Sequence, residues 1–197
     1  PFFILAPMDD VTDTVLRQVI ADLAPPDIFF TEFVNVDGLQ SIGRDKLTHK
    51  LQFTPKERPL IAQLWGKTPD NFYKTAAQIA DGSLARELGL PDGVNFSGID
   101  LNMGCPAKSE VQNGTCSALM LPGNRELAGQ IIAATREGLN TATDVLSLSV
   151  KTRLGFNDID HSWHEFLLEQ KLNMLSIHGR TKKQMSKVLQ TGTKLVR

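Results

Sequence analysis

The chain has 197 residues, 41% hydrophobic and 22% charged, a globular composition with enough apolar residues for one sizeable core. A formal net charge of −1 argues against a polyanion binder that is basic throughout, and no stretch approaches the roughly 18 apolar residues of a membrane helix. The N-terminus lacks the charged-then-apolar pattern of a signal peptide, so no membrane association is expected and a cytoplasmic location is the default.

Short apolar runs alternate along the chain with longer segments of helical spacing. The first predicted strand is FFILAP, Phe2 to Pro7, followed by a helix starting at Thr12 and a second strand, DIFFTEF, Asp27 to Phe33. The stretch from Val34 to Phe53 is less regular and has room for a short helix. PLIAQLW, Pro59 to Trp65, is the third strand, and Thr68 before Pro69 reads as an N-cap with proline in the first helical turn. SGIDLNM, Ser97 to Met103, precedes a helix entered at Asn124, and VLSLSVKTR, Val145 to Arg153, precedes one beginning near His161. NMLSIHG, Asn173 to Gly179, is the sixth strand. From Lys171 to Arg197 there are seven Lys and Arg residues and no acidic one, so charge is segregated toward the C-terminus.

Strands alternating with helices imply a parallel sheet, either doubly wound or closed into a (β/α)8 barrel. The C-terminal strand ends carry polar or reactive residues: Met8 and Asp9, Glu32, Gln63, Asn102 and Cys105, Lys151 and Arg153, His178 and Arg180. Barrel enzymes place their catalytic groups there, and no G-x-G-x-x-G follows the first strand, so an α/β fold of TIM (β/α)8 type is expected, with only about the first six βα units present.

Cys105 leaves its strand between Gly104 and Pro106, where a thiol can protonate a carbanion, attack an electrophile or fill space. Asn102 and Lys108 flank it and can hydrogen-bond a substrate. Cys116, among small residues, reads as packing, and the two cysteines form neither a disulfide framework nor a zinc motif. Period-two alternation puts Lys151 and Arg153 on one face, where an ammonium in a barrel mouth calls for an anion or an electron-rich ring. His178 and Arg180 suit phosphate or carbonyl recognition, and Gln63 offers an amide that can read an imide edge. His161 and His164 share a helix face without a third ligand and read as surface residues, so no metal site is expected.

Taken in order, APMDDVTD, TEFVNVDGL, AQLWG, GIDLNMGCPAK, VKTRLG and SIHGRT closely resemble the tRNA-dihydrouridine synthases, from about Ala6 to Thr181. The resemblance implies an FMN-dependent oxidoreductase, a flavoprotein that reduces uridine to 5,6-dihydrouridine in tRNA with NADPH as reductant. It implies that Cys105 is the general acid, that Lys151, His178 and Gln63 contact the flavin, and that Ala6, Pro7 and Met8 lie against it. Asn102 and Arg153 become substrate-side or flavin-edge groups, joined on the substrate side by Lys108 and Arg180. Lys182, Lys183 and Lys187 become phosphate contacts for RNA binding. The family pattern continues past the SKV segment to a seventh and an eighth strand and a helical tRNA-binding domain. Residues 1–197 are accordingly expected to be a catalytic FMN-binding barrel domain incomplete at its C-terminus, with the helical domain absent and self-association through open barrel edges. A small-molecule FMN barrel of dihydroorotate or dihydropyrimidine dehydrogenase type, and a silent RNA-binding remnant, are the competing readings.

Overall fold

A computed structural model of the chain describes residues 3–143 and 145–189. Phe2 of the first predicted strand, and Lys194 and Arg197 of the basic run, lie outside the described residues. Five parallel strands form one sheet in sequence order: β1 Phe29–Asn35, β2 Leu60–Trp65, β3 Gly98–Asn102, β4 Ser147–Arg153 and β5 Met174–His178. Helices fill the connections: α1 Thr14–Leu23, α2 Val36–Leu39, α3 Pro69–Ala80, α4 Ser83–Glu87, α5 Lys108–Gln112, α6 Arg125–Leu139 and α7 His161–Glu169. Parallel strands in unbroken sequence order, each reached through a crossover, make this α/β fold a partial (β/α)8-type barrel.

The sheet differs from expectation at its first strand. Its described part, Phe3–Pro7, forms no ladder among the described residues. It contributes one parallel bridge, Ile4 to Ile28, supported by Leu5 N–H donating to the Ile28 carbonyl at 3.2 Å and Asp27 N–H donating to that of Phe3 at 2.9 Å. Two features limit the pairing. The Phe3 N–H is diverted to the Asp27 carboxylate, and Pro7 has no N–H to extend the ladder. The helix expected from Thr12 starts at Thr14 because Asp13 is the N-cap, accepting from Leu16 N–H at 2.8 Å. Thr68 and Asn124 stand at the expected N-cap positions, but neither side chain makes a cap bond; Asn124 instead donates to the Ala118 carbonyl. The irregular 34–53 stretch holds α2 and two short 3-10 turns.

Alternation divides the strand side chains between two faces. Leu60, Ala62 and Leu64 of β2, Ile99 and Leu101 of β3, and Leu148 and Val150 of β4 point outward into the main core, together with Phe72, Ile79, Ile131, Ile132 and Trp163 from the helices. Helices α3 and α6 approach closely at Gly138, where a Cβ would lie 2.4 Å from the Tyr73 carbonyl oxygen. The inward residues are largely polar. Cross-strand register sets them in ascending rows: Gln63, Asp100 and Ser149, then Asn102, Lys151 and Ser176, then Arg153 and His178.

Candidate active site

The rows rise toward the C-terminal strand ends, where a cleft of about 460 Å3 opens. Ala6, Pro7, Met8, Gln63, Asn102, Cys105, Lys151, Arg153, His178 and Arg180 all line it, so residues scattered over some 175 positions of sequence meet in one place. Lys108 does not join them; it opens α5 on the exposed side of the Cys105 loop. Phe33, Gly104, Pro106 and Thr152 complete the lining. Phe33 was hidden in the sequence because β1 changes register between Phe30 and Phe33, which brings Phe33 opposite Gln63. The Thr31 hydroxyl fills the gap by accepting the Gln63 backbone N–H at 3.0 Å.

The loop carrying Cys105 is held from two sides. Asn102 Oδ1 accepts the backbone N–H groups of Gly104 at 3.1 Å and Cys105 at 3.0 Å, an Asx-type turn that ends β3 and turns the cysteine over the cleft. Arg153 Nε donates to the Gly104 carbonyl at 2.7 Å, while its Nη1 reaches the carbonyls of Thr181 and Met185 at 3.3 and 3.1 Å. Arg153 therefore ties the cysteine loop to the basic loop containing Lys182 and Lys183. Gly104 permits this closeness, because a Cβ there would sit 3.2 Å from the Thr152 backbone. In the first loop, Met8 N–H donates to the buried Thr12 hydroxyl at 2.9 Å, which fixes the Ala6–Met8 wall of the cleft.

Cys116 lies against Cys105, a contact invisible in the sequence because the two are separated by α5 and a turn. Their backbones meet where Ser117 N–H donates to the Cys105 carbonyl at 3.3 Å. The Cys116 thiol donates to Cys105 and, aided by the Ala107 N–H and against the effect of burial, holds the Cys105 pKa down to about 7. Cys116 itself, fully buried, is raised by that same bond and by burial, so its proton stays on. Cys116 thus packs, as its small neighbours suggested, and also tunes the neighbouring thiol.

Positive charge gathers around the cleft. Burial lowers the His178 pKa to about 4, with Arg153, Lys151 and Arg180 adding to the shift, so the imidazole is neutral at physiological pH. Lys151 is lowered by burial, partly offset by the Asp100 carboxylate; its ammonium makes no hydrogen bond or ion pair among the described residues. Arg180 bonds within its own loop, to the Val188 carbonyl at 2.5 Å and to His178 Nε2 at 3.3 Å. Lys182 lies over the Phe156 ring at 4.9 Å. Beside the cleft, Asp9, Asp10 and Glu32 bring carboxylate oxygens within 4.8 Å of one another. The Lys50 ammonium sits among them, bonded to Asp9 and 3.7 Å from Glu32, and supplies the countercharge. His161 and His164 face each other at 6.4 Å, and His164 Nε2 lies 3.2 Å from the Arg153 carbonyl, so that ring serves the end of β4.

A family model described as dihydrouridine synthase matches residues 4–192. A probable tRNA-dihydrouridine synthase of Staphylococcus aureus (strain COL) is 42% identical over 191 residues, covering 95% of this chain and 52% of the relative. Probable tRNA-dihydrouridine synthase 2 of Bacillus subtilis (strain 168) is 42% identical over 192 residues, covering 95% of this chain and 53% of the relative. The chain spans about half the length of the curated relatives it matches. With the strand-end motifs gathered in one cleft and the family model running through all of them, the chain belongs to the dihydrouridine synthase family.

Proposed function

We propose that the native protein is an oxidoreductase that reduces uridine in tRNA to 5,6-dihydrouridine, with FMN in the cleft and NADPH as the source of electrons. The observation that carries this reading is the meeting in one cleft of the Cys105 thiol and a Lys151 ammonium that is unbonded among the described residues, in a chain of this family. The donor set fits a flavin. A desolvated ammonium calls for an electron-rich partner, the Gln63 amide can pair with an imide, and the neutral His178 ring adds a hydrogen-bonding edge without further charge. Gln63, Lys151 and His178 would hold the ring, with Ala6, Pro7 and Met8 as the wall against it.

FMN held by these residues would supply the redox chemistry, a hydride for C6 of the uracil. The chain must then deliver a proton to C5, where negative charge develops. Cys105 would deliver it, a reading supported by its half-buried place in the cleft lining and by a pKa close to operating pH, so that thiol is present and its proton transferable. Asn102 and Arg153 hold the loop that carries it. A uridine in folded tRNA must leave its stack to reach the cleft, and Lys182, Lys183 and Lys187, on the segment whose Thr181 and Met185 carbonyls Arg153 binds, would offer phosphate contacts. Lys108, on the outer side of the cysteine loop, and Arg180 would meet the RNA rather than the ring.

The test is to incubate the native protein with unmodified tRNA and NADPH and to analyse the nucleosides by mass. Uridine gaining two hydrogens, together with bound yellow flavin, is the expected result. Reduction of free pyrimidines but not of tRNA would replace this reading with the small-molecule one, and a colourless protein that binds tRNA would replace it with the silent remnant. We further propose that residues 1–197 belong to a catalytic FMN-binding barrel domain, of which they supply a part, and, expressed alone, self-associate. β5 pairs on one side only among the described residues, and α1 exposes Val15, Val19 and Leu23 in a row. No helix among the described residues is long and apolar enough to cross a membrane.

A further inference from the structure

Asp100 is fully buried in the row beneath the cleft and does not itself line it. Its Oδ2 accepts from Gln63 Nε2 at 2.7 Å and its Oδ1 from the Ser149 hydroxyl at 2.5 Å. Gln63 Oε1 in turn accepts from Asn102 Nδ2 at 3.3 Å, and Asn102 Oδ1 accepts from the backbone N–H groups of Gly104 and Cys105. Four groups are therefore joined in one direction of donation, from the Cys105 backbone down to the carboxylate. The two ends fix the direction. Backbone N–H groups can only donate, and an ionised carboxylate can only accept. Turning either amide over would set two donors or two acceptors against each other, a costly arrangement in a buried site.

We propose that Asp100 is a positioning residue: through the Gln63 and Asn102 amides it fixes the backbone of Cys105 over the cleft. The proposal rests on the reading of Cys105 as proton donor. It gives a buried acid that does not itself line the cleft a place in the chemistry, since an acceptor beneath Gln63 leaves one orientation for each amide above it. The cross-strand register of Gln63, Asp100 and Ser149 makes the arrangement a property of the sheet rather than of a loop.

Two variants of the native protein separate this role from mere packing and from the charge that Asp100 presents to Lys151. Asp100→Asn keeps an acceptor for Gln63, because the Ser149 hydroxyl can turn to accept from the new amide; Asp100→Ala keeps none. Both remove the charge. A loss common to both therefore belongs to the charge, and a loss confined to alanine belongs to the relay. In single-turnover oxidation of pre-reduced enzyme by tRNA, Asp100→Ala is expected to fall roughly tenfold to a hundredfold, the effect of a small misplacement of a reacting group, while the tRNA concentration for half-maximal rate is unchanged. Asp100→Asn is expected to recover most of the rate. The alkylation rate of Cys105 by iodoacetamide should shift in the alanine variant and not in the asparagine one. In wild-type protein carrying isotope-labelled glutamine, a Gln63 side-chain proton should exchange slowly with solvent. Equal losses in the two variants, wild-type behaviour of Asp100→Ala, or a freely exchanging Gln63 amide would each overturn the proposal. The alkylation and exchange readouts do not pass through tRNA, so they decide the relay whatever the fate of the proposed reduction.

Discussion

The outer and inner faces of this sheet are made from alternate residues of the same strands, yet they obey different rules. Ile99 and Leu101 face outward and are buried among helices; Asp100 and Asn102, interleaved with them, face inward and are buried among one another. The outer face holds the sheet together by removing apolar area from water, which depends on shape. The inner face is held by directional bonds, and every acceptor must meet its donor. Changes on the outer face should therefore cost stability and spare the chemistry, whereas changes on the inner face should cost the chemistry wherever they break a bond.

The largest expected break in that contrast is Cys105→Ala, which should lower the tRNA-dependent step by about 10²–10⁴-fold, the usual share of general acid catalysis, while leaving flavin bound and reducible. With the Cys105 pKa at about 7 and the thiol as the active form, the wild-type single-turnover rate should fall as pH rises past 7. Cys116→Ala removes the donor that holds that pKa down, so its falling limb should move to higher pH. On the outer face, Trp163→Ala should cost about 3–5 kcal/mol, read by chemical denaturation, because a fully buried ring is lost along with its bond from Nε1 to Thr152. Flavin content per folded molecule should not change.

Asp100→Asn sharpens the contrast from the opposite direction. Burial raises the Asp100 pKa to about 6, against the bonds from Ser149 and Gln63 and the Lys151 charge that favour the anion. The folded state thus holds the proton more tightly than the unfolded one, and stability falls as pH rises from about 4 to 6. Asparagine carries no such penalty. The variant should be more stable than wild type at pH 7–8 by on the order of 2–3 kcal/mol, a gain that vanishes below pH 4, as thermal unfolding across pH would show. The smallest effect is expected for Lys151→Ala, which should weaken flavin retention by about 1–3 kcal/mol in a titration with FMN.

The same two faces explain what was legible in the sequence. Apolar alternation announces β2 to β5 because the outer face must be apolar whatever the function, and Pro69 marks the start of α3 because its missing N–H is harmless there. The polar strand ends, from Gln63 to His178, could be read as a site because strand ends in such a fold face a common opening. The bonds among them could not. Asp100 reads as an unremarkable polar position of an alternating strand, and only the register with Gln63 and Ser149 shows that it is buried and shared. Cys116 reads as filler until the turn after α5 brings it against Cys105. Phe2–Pro7 has the composition of a strand, but the Phe3 N–H goes to Asp27 and Pro7 has no N–H to give.

Interleaving also gives the fold a means of proofreading its own chemistry. Side chains alternate with a period of two, so a slip of β3 by one residue against its neighbours would turn Asp100 and Asn102 into the helix-facing core and bring Ile99 and Leu101 inward. Such a chain could not bury its apolar residues and would leave a carboxylate unpaired among them. A molecule with a misassembled relay is thus also a molecule that fails to fold, and those that pass the packing test arrive with the cysteine loop already aligned.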